Sequence, residues 1–427
     1  MIARTGNVSV VTLVLVLAAA CGSDAGPAST TSTTPATSTT GGVDTTAPVE
    51  ATLAPPASTQ PAEQAAGFPI ATFAAISEDP VTEELGDKLQ AGLEDFAGSD
   101  DFAEGGGLTA SVMTADGTWS GTVGTADGVR DLQVDDQFAI ASITKSVIAA
   151  QVMSMVEAGE LELDDAIADH LPPDLQFDTN GATIRHLLNH SSGIPDDYPV
   201  MEGPLRRDPL QVWSPAEMLE QIPARRGTAG SSFEYSGANY ALLGLMIEHV
   251  RGRPMAEVLR DGVLAIGGVE RLVYQPDEKP TEPMAMPRGD SSANLETTGG
   301  YLPSLASVSA FSFAGGMASD APSLARWWRA LCAGDIVSEA TLTEMAAPVP
   351  DAILDGTYGL GLFNTTGGYS RGAVGHQGEM LGYMSWAACL PDEGAVVVVL
   401  TNRPVRAITV ELFYGALRPF VDALRSR

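Results

Sequence analysis

Residues 138–153 read "FAIASITKSVIAAQVM" (Phe138–Met153), an apolar run interrupted by Ser142 and Lys145 three residues apart. Its length and its content of Ile, Val, Met and Ala predict a buried helix that stops at Gly159 in "VEAGELELDD". A buried helix has no use for an ammonium group, because taking a charge out of water is costly unless the charge is paired or lost. Lysine is also scarce: Lys88, Lys145 and Lys279 are the only three in 427 residues. Either Lys145 reaches water along its stem or it has a chemical task.

On a helix that starts near Ala141, Ser142 and Lys145 share a face. Ser142 then lies in the first turn, where unpaired N–H groups and the positive end of the helix dipole favour a developing negative charge. Burial and the same positive end disfavour the ammonium form of Lys145, leaving an amine able to take the serine proton. That is the logic of an activated nucleophile without a Ser-His-Asp triad. Taken alone, the pair also fits a helix cap beside a snorkelling lysine, so the rest of the chain has to decide.

Outward from this helix the pattern is mixed. "GLTASVMTADGTWSGTVGTAD" alternates around a DG turn, as a β-hairpin does. The middle of the chain, roughly 160 to 345, is mostly helical segments broken by Pro and Gly. Strand signals return in "YGLGLFNT", "GYMSWAACL" and "GAVVVVLTN", before a last amphipathic helix, "ITVELFYGALRPFVDALRS". The expectation is an α+β fold: one antiparallel sheet built from both ends of the chain, flanked by helices, with a mostly helical lobe inserted. A cleft between the two is the default place for a site.

Before residue 68 the composition changes. Residues 1–20 read as an export signal, with Arg4 ahead of "VSVVTLVLVLAAA". "AAAC" is similar to a lipobox, so Cys21 is a candidate lipidation site. Residues 21–67, rich in Thr, Ser, Pro and Ala, are too poor in apolar side chains to fold and read as a tether. The folded domain is then 68–427, at a cell surface or secreted. The chain carries 54 acids against 23 bases, a net charge of −31. Only Arg4, Asp24, Asp44, Glu50 and Glu63 fall within 1–67, so the folded part is strongly acidic and nucleic acid is excluded as a partner. Contact with a membrane is expected only through the lipid anchor. Once Cys21 is set aside, Cys332 and Cys389 remain, either as a disulfide or as two buried thiols.

Further stretches turn the Ser-Lys spacing into a resemblance. "TIRHLLNHSSGIPD" from Thr183, "SSFEYSGANYALLGLMIEHVRG" from Ser231, "FAGGMASDAPSLARWWRALCAG" from Phe313 and "VGHQGEMLGY" from Val374 occur in that order. Together they resemble the serine β-lactamase and penicillin-binding-protein superfamily, in its class C-like branch with D-Ala-D-Ala carboxypeptidases, D-aminopeptidases and β-lactamase-fold esterases. The resemblance implies that Ser142 is acylated, that Lys145 is its base and that Tyr235 shares the proton transfer. It also implies that His376, Gln377, Gly378 and Glu379 form the third motif, with the N–H groups of Ser142 and Glu379 as oxyanion hole. It implies no cofactor and no metal. His186 and His190 lie four apart but lack the glutamate of HExxH, and the resemblance makes them part of a structural turn.

Two departures shape the substrate expectation. The second motif is normally Tyr-x-Asn, whereas here it is Tyr235, Ser236, Gly237; water, Ser236 or a shifted Asn239 are the candidates to replace the amide. Glu379, on the same side of its strand as Gln377, would repel a substrate carboxylate. The leading expectation is therefore an esterase or D-amino-acid amidase. A carboxypeptidase or β-lactamase acting on cell-wall peptides or β-lactams comes next. A module that binds peptidoglycan stems or β-lactams without turnover stands outside the enzyme class.

Overall fold

The computed structural model describes residues 67–102, 105–196, 198–224, 226–288, 298–349, 357–365, 372–403 and 410–427. The export signal, Cys21 and the tether lie outside them. Residues from Gly67 onward form one compact unit.

Ten strands are described: β1 (Gly107–Thr114), β2 (Gly117–Gly124), β3 (Phe138–Ala139), β4 (Val273–Tyr274), β5 (Met317–Ser319), β6 (Thr357–Tyr358), β7 (Phe363–Thr365), β8 (Ala373–Met380), β9 (Tyr383–Leu390) and β10 (Ala395–Thr401). Seven of them make an antiparallel sheet in the order β2-β1-β10-β9-β8-β7-β6. The hairpin from the start of the chain and the strands from its end meet where Val399 pairs with Ala110 on one side and with Trp386 on the other. This is the two-ended sheet that the alternation predicts. A small sheet, β3-β5-β4, was not foreseen, because strands of two or three residues carry no period of their own.

Alternation along β10 divides the core. Val397 and Val399 face a layer with Leu85, Leu89, Leu93 and Phe420, contributed by helices Glu83–Ala97 and Val410–Arg425. Val396, Val398 and Leu400 face the larger core, with Trp327, Trp328, Ile143 and Val147. Helix Ala321–Cys332 packs on this second face, and Cys332 at its end is disulfide-bonded to Cys389 on β9.

Helix Thr144–Glu157 is apolar around most of its circumference and accordingly buried from Thr144 through Met153. It does not begin at Ala141. Residues Ala141–Ile143 form a 3-10 turn that opens on a kink at Ala141 itself, with φ of 46°. A positive φ at a residue with a side chain is uncommon and costs of order 1 kcal/mol. Ala141, His190 and Leu381 are three of the four such non-glycine residues among those described, and all three stand beside the site described next.

Candidate functional site

Lys145 is 3% exposed, and its Nζ lies 3.1 Å from Ser142 Oγ. Ser142 itself is half-buried and reachable from outside. The lysine does not snorkel. Its Nζ donates to the carbonyl oxygen of Ala314 at 2.8 Å and lies 4.9 Å from the centre of the Tyr235 ring and 5.6 Å from that of Tyr240. A buried amine thus sits between a hydroxyl, a carbonyl and two aromatic faces.

Strand β8 closes the other side. An ideal Cβ on Gly378 would collide with Ile140 O and Ser385 Oγ and would lie 2.9 Å from the backbone nitrogen of Ser142. Ser385 Oγ also donates to Ile140 O at 2.7 Å, tying the sheet to the residues just before the nucleophile. Only a glycine lets the strand and the 3-10 turn approach so closely. Strand β7 pairs with β8 only from Ala373 to Gly375, so residues 376–380 have no strand partner on that edge among the described residues.

His376 points into the protein and is fully buried. Its Nδ1 is 2.5 Å from the carbonyl oxygen of Gln377, which makes Nδ1 the protonated nitrogen. Nε2 is then the acceptor for the Tyr358 hydroxyl at 3.1 Å. Burial, followed by the nearby charge of Lys145, pushes the imidazole down to about 3, so it is neutral. With both nitrogens occupied by protein groups, His376 is an anchor for Tyr358. Tyr358 was not singled out from the sequence, where it is one aromatic in a strand-like stretch; the signal was an aromatic next to a Gly-x-Gly turn, too common to act on.

The asparagine question has a geometric answer. Neither replacement drawn from the second motif is bonded to the lysine. Ser236 Oγ donates to Pro195 O at 2.9 Å. Asn239 is fully buried, accepts from Ser192 Oγ at 2.6 Å through Oδ1 and faces His190 Nδ1 at 3.2 Å through Nδ2. Lys145 instead donates to the backbone carbonyl of Ala314, which sequence reasoning missed because a carbonyl has no residue-type signature.

Gln377 and Glu379 lie on the open face of β8. Glu379 keeps an exposed surface, yet its carboxyl is lodged among enough protein atoms to be poorly hydrated. Desolvation first, and then the Glu202 carboxylate, push it up to about 7. Glu202 belongs to helix Tyr198–Arg207 and pairs with Arg206 at 3.0 Å. His186 is apart from all this: its Nδ1 accepts from the Thr183 N–H and caps helix Ile184–Leu188. Among the described residues no group of three His, Cys, Asp or Glu is placed to hold a metal ion.

An antiparallel sheet flanked by helices, with a helical portion inserted between its early and late strands, is the β-lactamase and transpeptidase architecture. The chain belongs to the beta-lactamase family, whose model matches residues 100–413. Among solved structures it is similar to a D-amino acid amidase from Ochrobactrum anthropi SV3, with 25% identity and a TM-score of 0.68 over 81% of this chain and 98% of that one. It is also similar to a D-stereospecific amidohydrolase from Streptomyces, with 25% identity and a TM-score of 0.62 over 74% of this chain and 94% of the other. Penicillin-binding protein 4 of Amycolatopsis lactamdurans is 32% identical over 165 residues, 37% of this chain and 41% of that protein. The chain spans about half or less of the length of the curated relatives it matches first.

Proposed function

We propose that this chain is a serine hydrolase that works through an acyl-enzyme on Ser142. The observation that carries the reading is the buried Lys145 amine 3.1 Å from Ser142 Oγ. In its deprotonated form the Lys145 amine accepts the serine proton at Nζ as Oγ attacks the substrate carbonyl carbon. The tetrahedral oxygen is held by the N–H groups of Ser142 and Glu379. Tyr235 relays that proton from Nζ to the leaving group as its bond to the carbonyl carbon breaks, and water then hydrolyses the acyl-enzyme, its hydrogen returning to Ser142 Oγ. His376 takes no proton in this scheme; it holds Tyr358.

The substrate class we propose is an ester or D-amino-acid amide without a carboxylate near the scissile bond. Glu379 and Glu202 support this, because a negative substrate group would face two acidic side chains. The likeness to a D-amino acid amidase points the same way. We further propose that the enzyme acts outside the cytoplasm on a lipid anchor at Cys21. The apolar stretch before Cys21 and the buried Cys332–Cys389 disulfide support this reading.

The test is intact-protein mass spectrometry of wild type and Ser142→Ala after exposure to a fluorophosphonate, a penicillin and a p-nitrophenyl ester, with p-nitrophenol release followed in parallel. Serine-dependent labelling with ester turnover and no penicilloyl adduct supports the proposal. A persistent penicilloyl adduct moves the substrate to cell-wall peptides. Neither adduct nor turnover sinks the hydrolase and leaves a binding module.

A further inference from the structure

His190 is fully buried, has a positive φ of 59° and belongs to none of the catalytic steps above. Its surroundings nevertheless converge on Tyr235. The His190 carbonyl oxygen accepts the N–H of Glu234 at 2.8 Å, and its Nδ1 accepts the N–H of Ser236 at 3.2 Å. The N–H groups of the residues on either side of Tyr235 are thus held by one residue. The imidazole ring also packs on the Tyr235 phenol, with centroids 4.2 Å apart and planes at 34°. On its other sides lie Tyr240 at 5.4 Å and Tyr358 at 4.9 Å.

The proton on this imidazole is fixed by its neighbours. Asn239 Oδ1 is occupied by the Ser192 hydroxyl, so its Nδ2 is the group that faces His190 Nδ1 at 3.2 Å and donates to it. With two donors converging on Nδ1, the proton resides on Nε2, which is buried without a hydrogen-bond partner among the described residues. A buried donor left unsatisfied and a left-handed backbone both oppose folding. Their presence at one residue is explained if the geometry they enforce is needed.

We propose that His190 is the positioning residue for Tyr235, its carbonyl and Nδ1 clamping the N–H groups of Glu234 and Ser236 while its ring sets the tilt of the phenol. Asn239, two residues beyond the position where the motif asparagine stands in the family, locks the clamp instead of touching Lys145. This inference rests on the reading of Ser142 and Tyr235 given above.

The test compares wild type with His190→Phe, which keeps a ring but loses the acceptor, His190→Asn, which restores an acceptor near the Nδ1 position, and Asn239→Ala, which frees the ring. Active sites are titrated with a fluorophosphonate, and kcat, KM and the pH profile for a p-nitrophenyl ester are measured per titrated site. The expected result is a fall in kcat of about 100-fold for His190→Phe, with KM nearly unchanged and the pH profile displaced, since a misplaced catalytic group costs on this order. His190→Asn recovers part of the loss, and Asn239→Ala gives a smaller loss of the same kind. If His190→Phe does not fold, Asn239→Ala alone decides: kcat and a pH profile equal to wild type overturn the proposal. Wild-type kcat and pH profile in a folded His190→Phe overturn it equally. An active wild type with an unaffected variant defeats only the positioning role, whereas a wild type that neither labels nor turns over defeats the hydrolase reading with it.

Discussion

Lys145 Nζ lies 2.8 Å from the carbonyl oxygen of Ala314, and this backbone contact holds the amine where the family's second motif ordinarily supplies an asparagine amide. A carbonyl only accepts, so this contact orients an N–H of the lysine beside the Ser142 hydroxyl. Lys145→Met is therefore expected to fold and to lose acylation by about 10²- to 10⁴-fold, the usual contribution of a general base. Lys145→Arg is not expected to rescue it, because a guanidinium does not deprotonate. The burst of p-nitrophenol under excess ester measures this; a full burst in Lys145→Met would remove the lysine from the mechanism.

Gly378→Ala places a methyl group against Ile140 O, Ser385 Oγ and Ser142 N, two of them backbone atoms that cannot swing aside. Overpacking of this kind costs about 1–3 kcal/mol. Because the displaced atoms carry the nucleophile, activity per folded molecule is expected to fall much further than stability, by about 100-fold. Urea midpoints and fluorophosphonate labelling rates taken together check this. A variant that is destabilised yet labels at the wild-type rate would show that the close approach serves only packing.

Glu379, pushed up to about 7, is largely protonated below that value and ionised above it. For an ester carrying a quaternary ammonium, whose own charge does not titrate, KM is expected to fall as pH rises through about 7. For a neutral ester of similar size KM is expected to stay level. Glu379→Gln should flatten the first profile onto the second. Identical KM profiles for both esters in the wild type would mean that Glu379 does not face the bound substrate.

His376 is neutral in the folded protein because burial holds its imidazole down to about 3, whereas in the unfolded chain it takes up a proton near 6.5. The unfolded state therefore binds more protons between these values, and the contribution of this residue to stability is lost as pH falls from about 6.5 toward 3. The slope is about 1.4 kcal/mol per pH unit for one such group. His376→Phe removes that slope and also strands the Tyr358 hydroxyl, so it should be less stable than wild type at pH 8. Its deficit should narrow by pH 4.5. Urea midpoints at the two pH values test this, and a constant gap would contradict it.

The Cys332–Cys389 bond fastens helix Ala321–Cys332 to β9 on the same face of the sheet as Trp327 and Trp328. Its reduction is expected to lower stability by about 2–5 kcal/mol. The check is the urea midpoint of Cys332→Ser/Cys389→Ser against the oxidised protein; an unchanged midpoint would mean that packing alone holds the helix.

What the sequence determined by itself was whatever rests on local period and on order along the chain. The continuous apolar run of "GAVVVVLTN" and the alternation in "GLTASVMTADG" pointed to strands, and four ordered motifs pointed to the superfamily beside Ser142 and Lys145 on one short stretch. Those two residues are near in space because they are near in sequence. Tertiary structure alone decided the contacts made across long separations: Ala314 on Lys145, Tyr358 on His376, Gly378 against Ser142, Glu202 beside Glu379. It also buried His376 with its ring nitrogens against Gln377 O and the Tyr358 hydroxyl, and brought His190 against Tyr235. Such pairings come from how the sheet and the helices pack, and a backbone carbonyl or a missing Cβ leaves no mark in the order of residue types.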